Sequence, residues 1–121
     1  HAAVKDVPVL DLKTSTLELA LAEERPIAEL GVEVDIEHTY RGDLIVKLHP
    51  PPECGVEPIT LHNGEGAGQN DLKRRFDAAS TPDLRQLSGK RPAGTWQLSV
   101  YDRYKNDQGT LKRFGLDIVY A

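Results

Sequence analysis

The feature that most constrains the fold is a two-residue alternation of apolar and other side chains, repeated in short segments. In segment 30–36 every second residue is Leu, Val or Ile, and Gly, Glu and Asp lie between them. This period indicates a β-strand with one buried and one solvated face. The same alternation is present in segments 17–21, 44–48, 59–61, 96–100 and 116–120.

Turn-forming residues separate these segments. Pro50, Pro51 and Pro52 cannot donate to a strand ladder, and the Gly-rich stretch 63–68 favours positive backbone angles. Stretch 106–109 (Asn-Asp-Gln-Gly) predicts a tight connection between the last two strands, and one helical turn is expected near Asp83 to Leu87. Short strands without an amphipathic helix predict an all-β sandwich. Residues 64–93 show weak periodicity and predict a long loop.

Composition excludes several classes of function. The chain has 121 residues, enough for one domain, and a formal net charge of −4 without a long basic stripe, so no nucleic-acid partner is expected. The short run 73–75 (Lys-Arg-Arg) predicts a solvated loop. No apolar run approaches the roughly 18 residues that span a membrane. The single cysteine, Cys54, excludes an internal disulfide and a Cys-x-x-Cys redox pair.

Acidic residues at strand ends are the candidate metal ligands. Asp43 opens one strand, Asp102 closes another, and Asn106 and Asp107 lie in the turn that follows. Calcium prefers carboxylate and carbonyl oxygens, so these four residues are candidate calcium ligands. Short carboxylates also cap turns by accepting bonds from backbone N–H groups. The sequence leaves both interpretations open.

No catalytic or cofactor-binding residue is predicted. The serines and histidines form no nucleophile signature, and Ser99 lies in the middle of a predicted strand among apolar neighbours. Trp96 has the same strand parity as Leu98 and Val100, so it is expected in the core and not on a sugar-binding surface.

Two segments carry a family resemblance: 38–44 (His-Thr-Tyr-Arg-Gly-Asp-Leu) and 94–102, which begins Gly-Thr-Trp and ends in Asp. With Phe76-Asp77 and Asp107-x-Gly109-x-Leu111 in the same order, they resemble the P domain, also called P/Homo B, of kexin- and furin-like and secreted bacterial subtilisin-like proteases. Departures from the family pattern are the basic run before Phe76 and a phenylalanine, Phe114, where the family often has tryptophan.

The resemblance implies a jelly-roll sandwich of about eight mostly antiparallel strands. It implies a leading segment at 1–14 and a P domain at 15–121, with His38 making a structural hydrogen bond. It further implies a non-catalytic, extracellular, monomeric accessory domain whose partner is the catalytic protease domain of the same polypeptide, with the catalytic triad outside this chain. Its expected roles are to aid folding, stability and calcium dependence, and it strengthens the calcium interpretation. The alternative is a substrate- or carbohydrate-binding module attached to a secreted hydrolase.

Overall fold

The computed structural model describes residues 1–38, 43–64, 71–103 and 109–121. Within these ranges the chain forms eight β-strands and two short 3-10 helices, Pro52–Cys54 and Pro82–Leu87. The second helix lies where the sequence predicted a helical turn. The strands are β1 Ala2–Val9, β2 Thr14–Leu21, β3 Ile27–His38, β4 Leu44–His49, β5 Ile59–Asn63, β6 Leu72–Phe76, β7 Gly94–Asp102 and β8 Gly109–Tyr120.

The strands form two four-stranded sheets, which we call sheet A and sheet B. Sheet A has the order β1-β8-β3-β6, and sheet B has the order β2-β7-β4-β5. All of the described strand pairings within these sheets are antiparallel. This is the strand order of a jelly roll, so the prediction of an all-β, jelly-roll-like sandwich is confirmed.

The core lies between the sheets and follows the predicted alternation. Val32 and Ile36 of β3, Val46 of β4 and Leu98 of β7 are each 0% exposed. Burying such a side chain contributes about 1.5–3 kcal/mol to stability. Trp96 is also 0% exposed, and its indole Nε1 donates to the Pro92 carbonyl at 2.8 Å. The prediction that Trp96 packs in the core is confirmed, and its ring is not available to stack on a sugar.

Two edge strands were not predicted. β6 lies within the stretch 64–93 that was expected to be a loop, so that prediction was wrong for residues 72–76. Leu72 and Phe76 at its ends face the core, whereas the basic residues between them are exposed. Pairing with β3 therefore makes this segment a strand, because its own sequence has no visible period. β1 lies within the leading segment 1–14 and pairs with β8. The domain boundary near residue 15 stays a prediction.

The outer faces of the two sheets differ in charge. On sheet A, Arg75 of β6 pairs with Asp77 and with Asp117 of β8 at 3.1 and 3.2 Å. The Arg75 guanidinium passes over Gly31, where a Cβ atom would collide with it. Ion pairs therefore cover this face. The outer face of sheet B instead carries mostly hydroxyl, amide and imidazole groups, together with Lys47, around a shallow groove. No helix in the described ranges is long and apolar enough to cross a membrane.

Candidate functional site

The strand ends bring two of the four predicted metal ligands close together. Leu44 pairs with Asp102 where β4 meets β7, and the backbone N–H of Arg103 donates to the carbonyl of Asp43 at 2.9 Å. Asp43 is 6% exposed and Asp102 is 0% exposed. Asn106 and Asp107 lie outside the described residues. The structure therefore places half of the predicted ligand set at one end of the sandwich.

Asp102 forms a buried pair with a histidine from the other sheet. Its Oδ2 atom lies 3.0 Å from Nε2 of His38, and both side chains are 0% exposed. His38 ends β3 in sheet A, whereas Asp102 ends β7 in sheet B. The pair thus connects the two sheets through the interior, and we call it the inter-sheet clip. His38 makes the structural hydrogen bond that the family resemblance implied.

Backbone bonds fix the histidine side of the inter-sheet clip. The backbone N–H of His38 donates to Oδ1 of Asp71 at 2.9 Å, and the backbone N–H of Asp71 donates to the carbonyl of His38 at 2.8 Å. On the aspartate side, the backbone N–H of Leu12 donates to the carbonyl of Asp102 at 2.9 Å. The turn between β1 and β2 therefore also reaches this end of the sandwich.

The residues described here do not by themselves form a calcium cage. Calcium takes six to eight oxygen ligands, whereas Oδ2 of Asp102 faces an imidazole nitrogen. Within the described ranges, no group of three or more His, Cys, Asp or Glu side chains is placed to hold a metal ion. The arrangement is that of a buried polar link between sheets. The proposed ligand set of Asp43, Asp102, Asn106 and Asp107 stays a prediction.

Asp77 shows that an aspartate of this chain can cap a turn. Its Oδ1 accepts bonds from the backbone N–H groups of Ala79 and Ser80 at 3.0 and 3.1 Å. The bond from the Ser80 N–H is the largest cause that lowers the pKa of Asp77, and Arg75 adds to the effect. For this residue the geometry supports the turn-capping interpretation.

A second histidine pair lies on the outer face of sheet B and was not predicted. Nε2 of His49 in β4 lies 2.8 Å from Oγ of Ser99 in β7. Burial lowers the pKa of His49, and the nearby Lys47 ammonium lowers it further. A serine hydrolase needs a group that orients the base, but in the described part of the chain no carboxylate lies within hydrogen-bond distance of His49. The pair therefore lacks the third member of a triad.

No local sequence pattern pointed to this pair, because its members are 50 residues apart. Ser99 was expected among apolar neighbours in the middle of a strand. The neighbours in sequence are indeed buried, but Ser99 has the opposite parity and its hydroxyl points away from the core. Gln97 and Tyr101 are each two residues from Ser99 in the strand and line the same groove. This spacing is the one sequence feature that could have placed the Ser99 hydroxyl on the outer face of the sheet.

Comparison with known proteins agrees with this architecture. The family model for the proprotein convertase P-domain matches residues 27–118. A calcium-dependent protease of a Nostoc species is 52% identical over 116 residues, and the match covers 96% of this chain and 18% of that protein. A calcium-dependent protease of Trichormus variabilis is 49% identical over 116 residues with the same coverage. The chain thus spans less than a fifth of the length of these relatives.

Among solved structures, the serine protease of Aeromonas sobria contains a similar fold. The superposition has a TM-score of 0.70 at 16% identity and covers 100% of this chain and 26% of that protein. This likeness concerns the fold, whereas the family match and the identity to the two calcium-dependent proteases concern the sequence itself. The chain therefore belongs to the proprotein convertase P-domain family.

Proposed function

We propose that this chain is a non-catalytic accessory domain of a secreted subtilisin-like serine protease and that it stabilises the catalytic domain of the same polypeptide. The observation that carries the proposal is the 52% identity to a calcium-dependent protease. The matched region makes up 18% of the length of that protease, as expected for one domain of a larger enzyme. A domain that docks only on the folded catalytic domain would stabilise that domain by mass action.

The geometry of the two histidine pairs supports a non-catalytic role. The inter-sheet clip is shielded from solvent, so neither His38 nor Asp102 can reach a substrate as the structure stands. His49 is half-buried and Ser99 is buried on the outer face of sheet B, and the backbone N–H groups near them are engaged in the ladders of β7 with β2 and β4. A ladder of this kind leaves no oxyanion hole, which acyl transfer needs.

Calcium dependence is the finer part of the proposal. It is supported by the names of the two calcium-dependent relatives and by the acidic strand ends of this chain. Asp43, Asn106 and Asp107 would hold the ion, and Asp102 would join them only if its carboxylate has room beside His38. Bound calcium would stabilise the folded domain because the unfolded chain does not preserve the site.

Removal of the domain from its parent protease tests the accessory role. The yield of active enzyme and its thermal midpoint are compared for the whole polypeptide and for the polypeptide without this domain. We expect both to fall. A variant with Arg113→Ala, an exposed residue of the sheet A face, serves as the control and should change both far less than the deletion does. Unchanged yield and stability after deletion would refute the accessory role.

Thermal unfolding in calcium and in chelator tests the finer part. We expect a higher midpoint in calcium and loss of the difference in Asp107→Ala. Asp77→Ala is the matched control, because Asp77 caps a turn in the described structure. Equal midpoints with and without chelator would show that the strand-end aspartates have a structural role and do not bind calcium. This result would not contradict the accessory role.

A further inference from the structure

The outer face of sheet B carries a continuous shallow groove, formed by two adjoining cavities of about 360 and 350 Å³ that share His49 and Gln97. Its floor follows β7, from Thr95 to Tyr101. At a rise of about 3.3 Å per residue this floor is about 20 Å long, long enough for several sugar rings. We infer that this groove binds a neutral oligosaccharide.

The lining of the groove favours an uncharged ligand rich in hydroxyl groups. Thr16, Ser99 and Tyr101 contribute hydroxyls, and Gln97 contributes an amide that both donates and accepts hydrogen bonds. The charged side chains Glu18 and Lys47 have opposite signs and lie at different parts of the groove. A groove of this composition has no net charge that would attract nucleic acid or an acidic polymer.

The imidazole in the middle of the groove is held in position. The 2.8 Å contact between Nε2 of His49 and Oγ of Ser99 fixes the ring against β7. Burial and the nearby Lys47 ammonium hold the pKa of His49 below its ordinary value of 6.5, which favours the neutral ring at pH 7. A fixed neutral ring lowers the ordering cost of binding and adds no charge to the site.

Backbone pairing disfavours an extended peptide in the same groove. Gln97 pairs with Glu18 of β2 on one side and with His49 of β4 on the other, and Ser99 pairs in the same way with Thr16 and Lys47. The main-chain groups of the floor are therefore engaged in the sheet. Peptides that bind by strand addition need an open sheet edge, whereas sugar hydroxyls are recognised by side chains.

The two ends of the groove can pack against the less polar faces of sugar rings. Tyr101 is half-buried at one end, and its ring combines an apolar body with a hydroxyl. Pro52, Val56 and Pro58 line the other end. Trp96 makes no contribution because it is fully buried on the opposite side of the sheet.

Titration of the 121-residue chain with neutral hexasaccharides tests the inference. Cellohexaose, laminarihexaose, xylohexaose and mannohexaose are added separately, and binding is followed by calorimetry and by backbone amide NMR. A neutral peptide of Gly, Ser and Pro of matching length is the competing probe. We expect saturable binding of at least one sugar, with shifted resonances along β7 and β4, and no binding of the peptide.

Variants locate the site. Gln97→Ala is expected to weaken sugar binding about tenfold, because it removes hydrogen bonds made directly to the ligand. Tyr101→Ala should weaken binding by a similar factor. Glu37→Ala on the outer face of sheet A is the matched control and should bind as the unmodified chain does. Thermal unfolding shows which variants remain folded, and Ser99→Ala provides a third test if either substitution prevents folding.

Three outcomes would overturn the inference: no binding of any of the four sugars, binding of the peptide alone, or sugar-induced shifts confined to sheet A. None of these outcomes bears on the accessory role, which depends on the stability of the parent protease. Failure of the groove inference and failure of the proposed function are therefore distinguishable.

Discussion

Two polar pairs of nearly equal length lie in opposite environments. The inter-sheet clip joins Nε2 of His38 to Oδ2 of Asp102 at 3.0 Å with both side chains 0% exposed. On the outer face of sheet A, the guanidinium of Arg113 lies 3.1 Å from Oε2 of Glu33, and these side chains are 44% and 43% exposed. Judged by distance alone, the two pairs would contribute similarly to the free energy of unfolding.

Solvent makes the two pairs unequal. Water screens the exposed pair and can replace either partner, so such pairs contribute little to stability. In the interior no water replaces a lost partner, and the remaining polar group is left without its bond. The buried pair also joins different sheets, whereas Arg113 and Glu33 lie on adjacent strands of one sheet. Position in the fold, more than contact distance, therefore decides the energetic weight of a polar pair here.

Removal of the buried carboxylate should have the largest effect. Asp102→Ala is expected to lower the free energy of unfolding by about 3–5 kcal/mol, because it removes the buried carboxylate that contacts Nε2 of His38 across the two sheets. Urea denaturation measures the change. The matched control, Asp117→Ala, removes an exposed carboxylate that pairs with Arg75. Equal losses in the two variants would show that burial adds nothing to the pair.

A buried neutral bond should rank second. Trp96→Phe is expected to cost about 1–3 kcal/mol, because the Pro92 carbonyl loses its indole donor inside the core. Phe114→Leu removes the same number of side-chain heavy atoms from the core without breaking a hydrogen bond and is the matched control. Calorimetric unfolding of both variants separates the lost bond from the lost packing. A loss in Trp96→Phe no larger than in the control would mean that the bond to Pro92 contributes nothing.

The exposed pair should rank third. Arg113→Ala is expected to lower the free energy of unfolding by less than about 1 kcal/mol. The difference should shrink further as salt is added, because ions screen exposed charges. Urea denaturation at low and high ionic strength measures both effects. A large loss that is insensitive to salt would contradict the contrast with the inter-sheet clip.

The smallest effect concerns His49, whose side chain is half-buried and so is intermediate between the buried and the exposed pair. Burial, with a contribution from Lys47, holds its pKa below the ordinary value of 6.5. At pH values above 6.5, His49 is uncharged in both the folded and the unfolded chain and does not make stability depend on pH. As the pH falls through 6.5 towards the lowered pKa the unfolded chain takes up more protons, so stability decreases. In His49→Gln we expect a smaller loss of stability between about pH 7.5 and about pH 5, measured by thermal midpoints. An unchanged difference would exclude His49 as the source of this pH dependence.

The parts of the fold that alternate in sequence were predictable, and the two edge strands of sheet A, β1 and β6, were not. Val32, Val34 and Ile36 show the strand period because each lies in a central strand with one face in the core. β6 has apolar residues only at Leu72 and Phe76, so its strand character depends on pairing with β3. Such pairing is a tertiary effect that no local pattern contains.

The candidate site was predicted in part for a similar reason. The family resemblance implied a structural hydrogen bond for His38, and the sequence placed Asp102 at a strand end, but neither identified the two as partners. They are 64 residues apart and meet only because the strand order places the ends of β3 and β7 on facing sheets. Asn106 and Asp107 lie outside the described residues, and the four-residue calcium ligand set stays a prediction.

The edge position of β6 gives its basic run a further consequence. Among the strands in the described ranges, β6 pairs only with β3, so the other side of its backbone is available for another chain to extend the sheet. Lys73, Arg74 and Arg75 are all exposed along this edge. Arg75 is paired with Asp77 and Asp117. A second copy approaching edge to edge would nevertheless bring its own Lys73 and Arg74 against those of the first, and the repulsion opposes pairing. The basic residues that depart from the family pattern thus disfavour pairing of two copies through this edge.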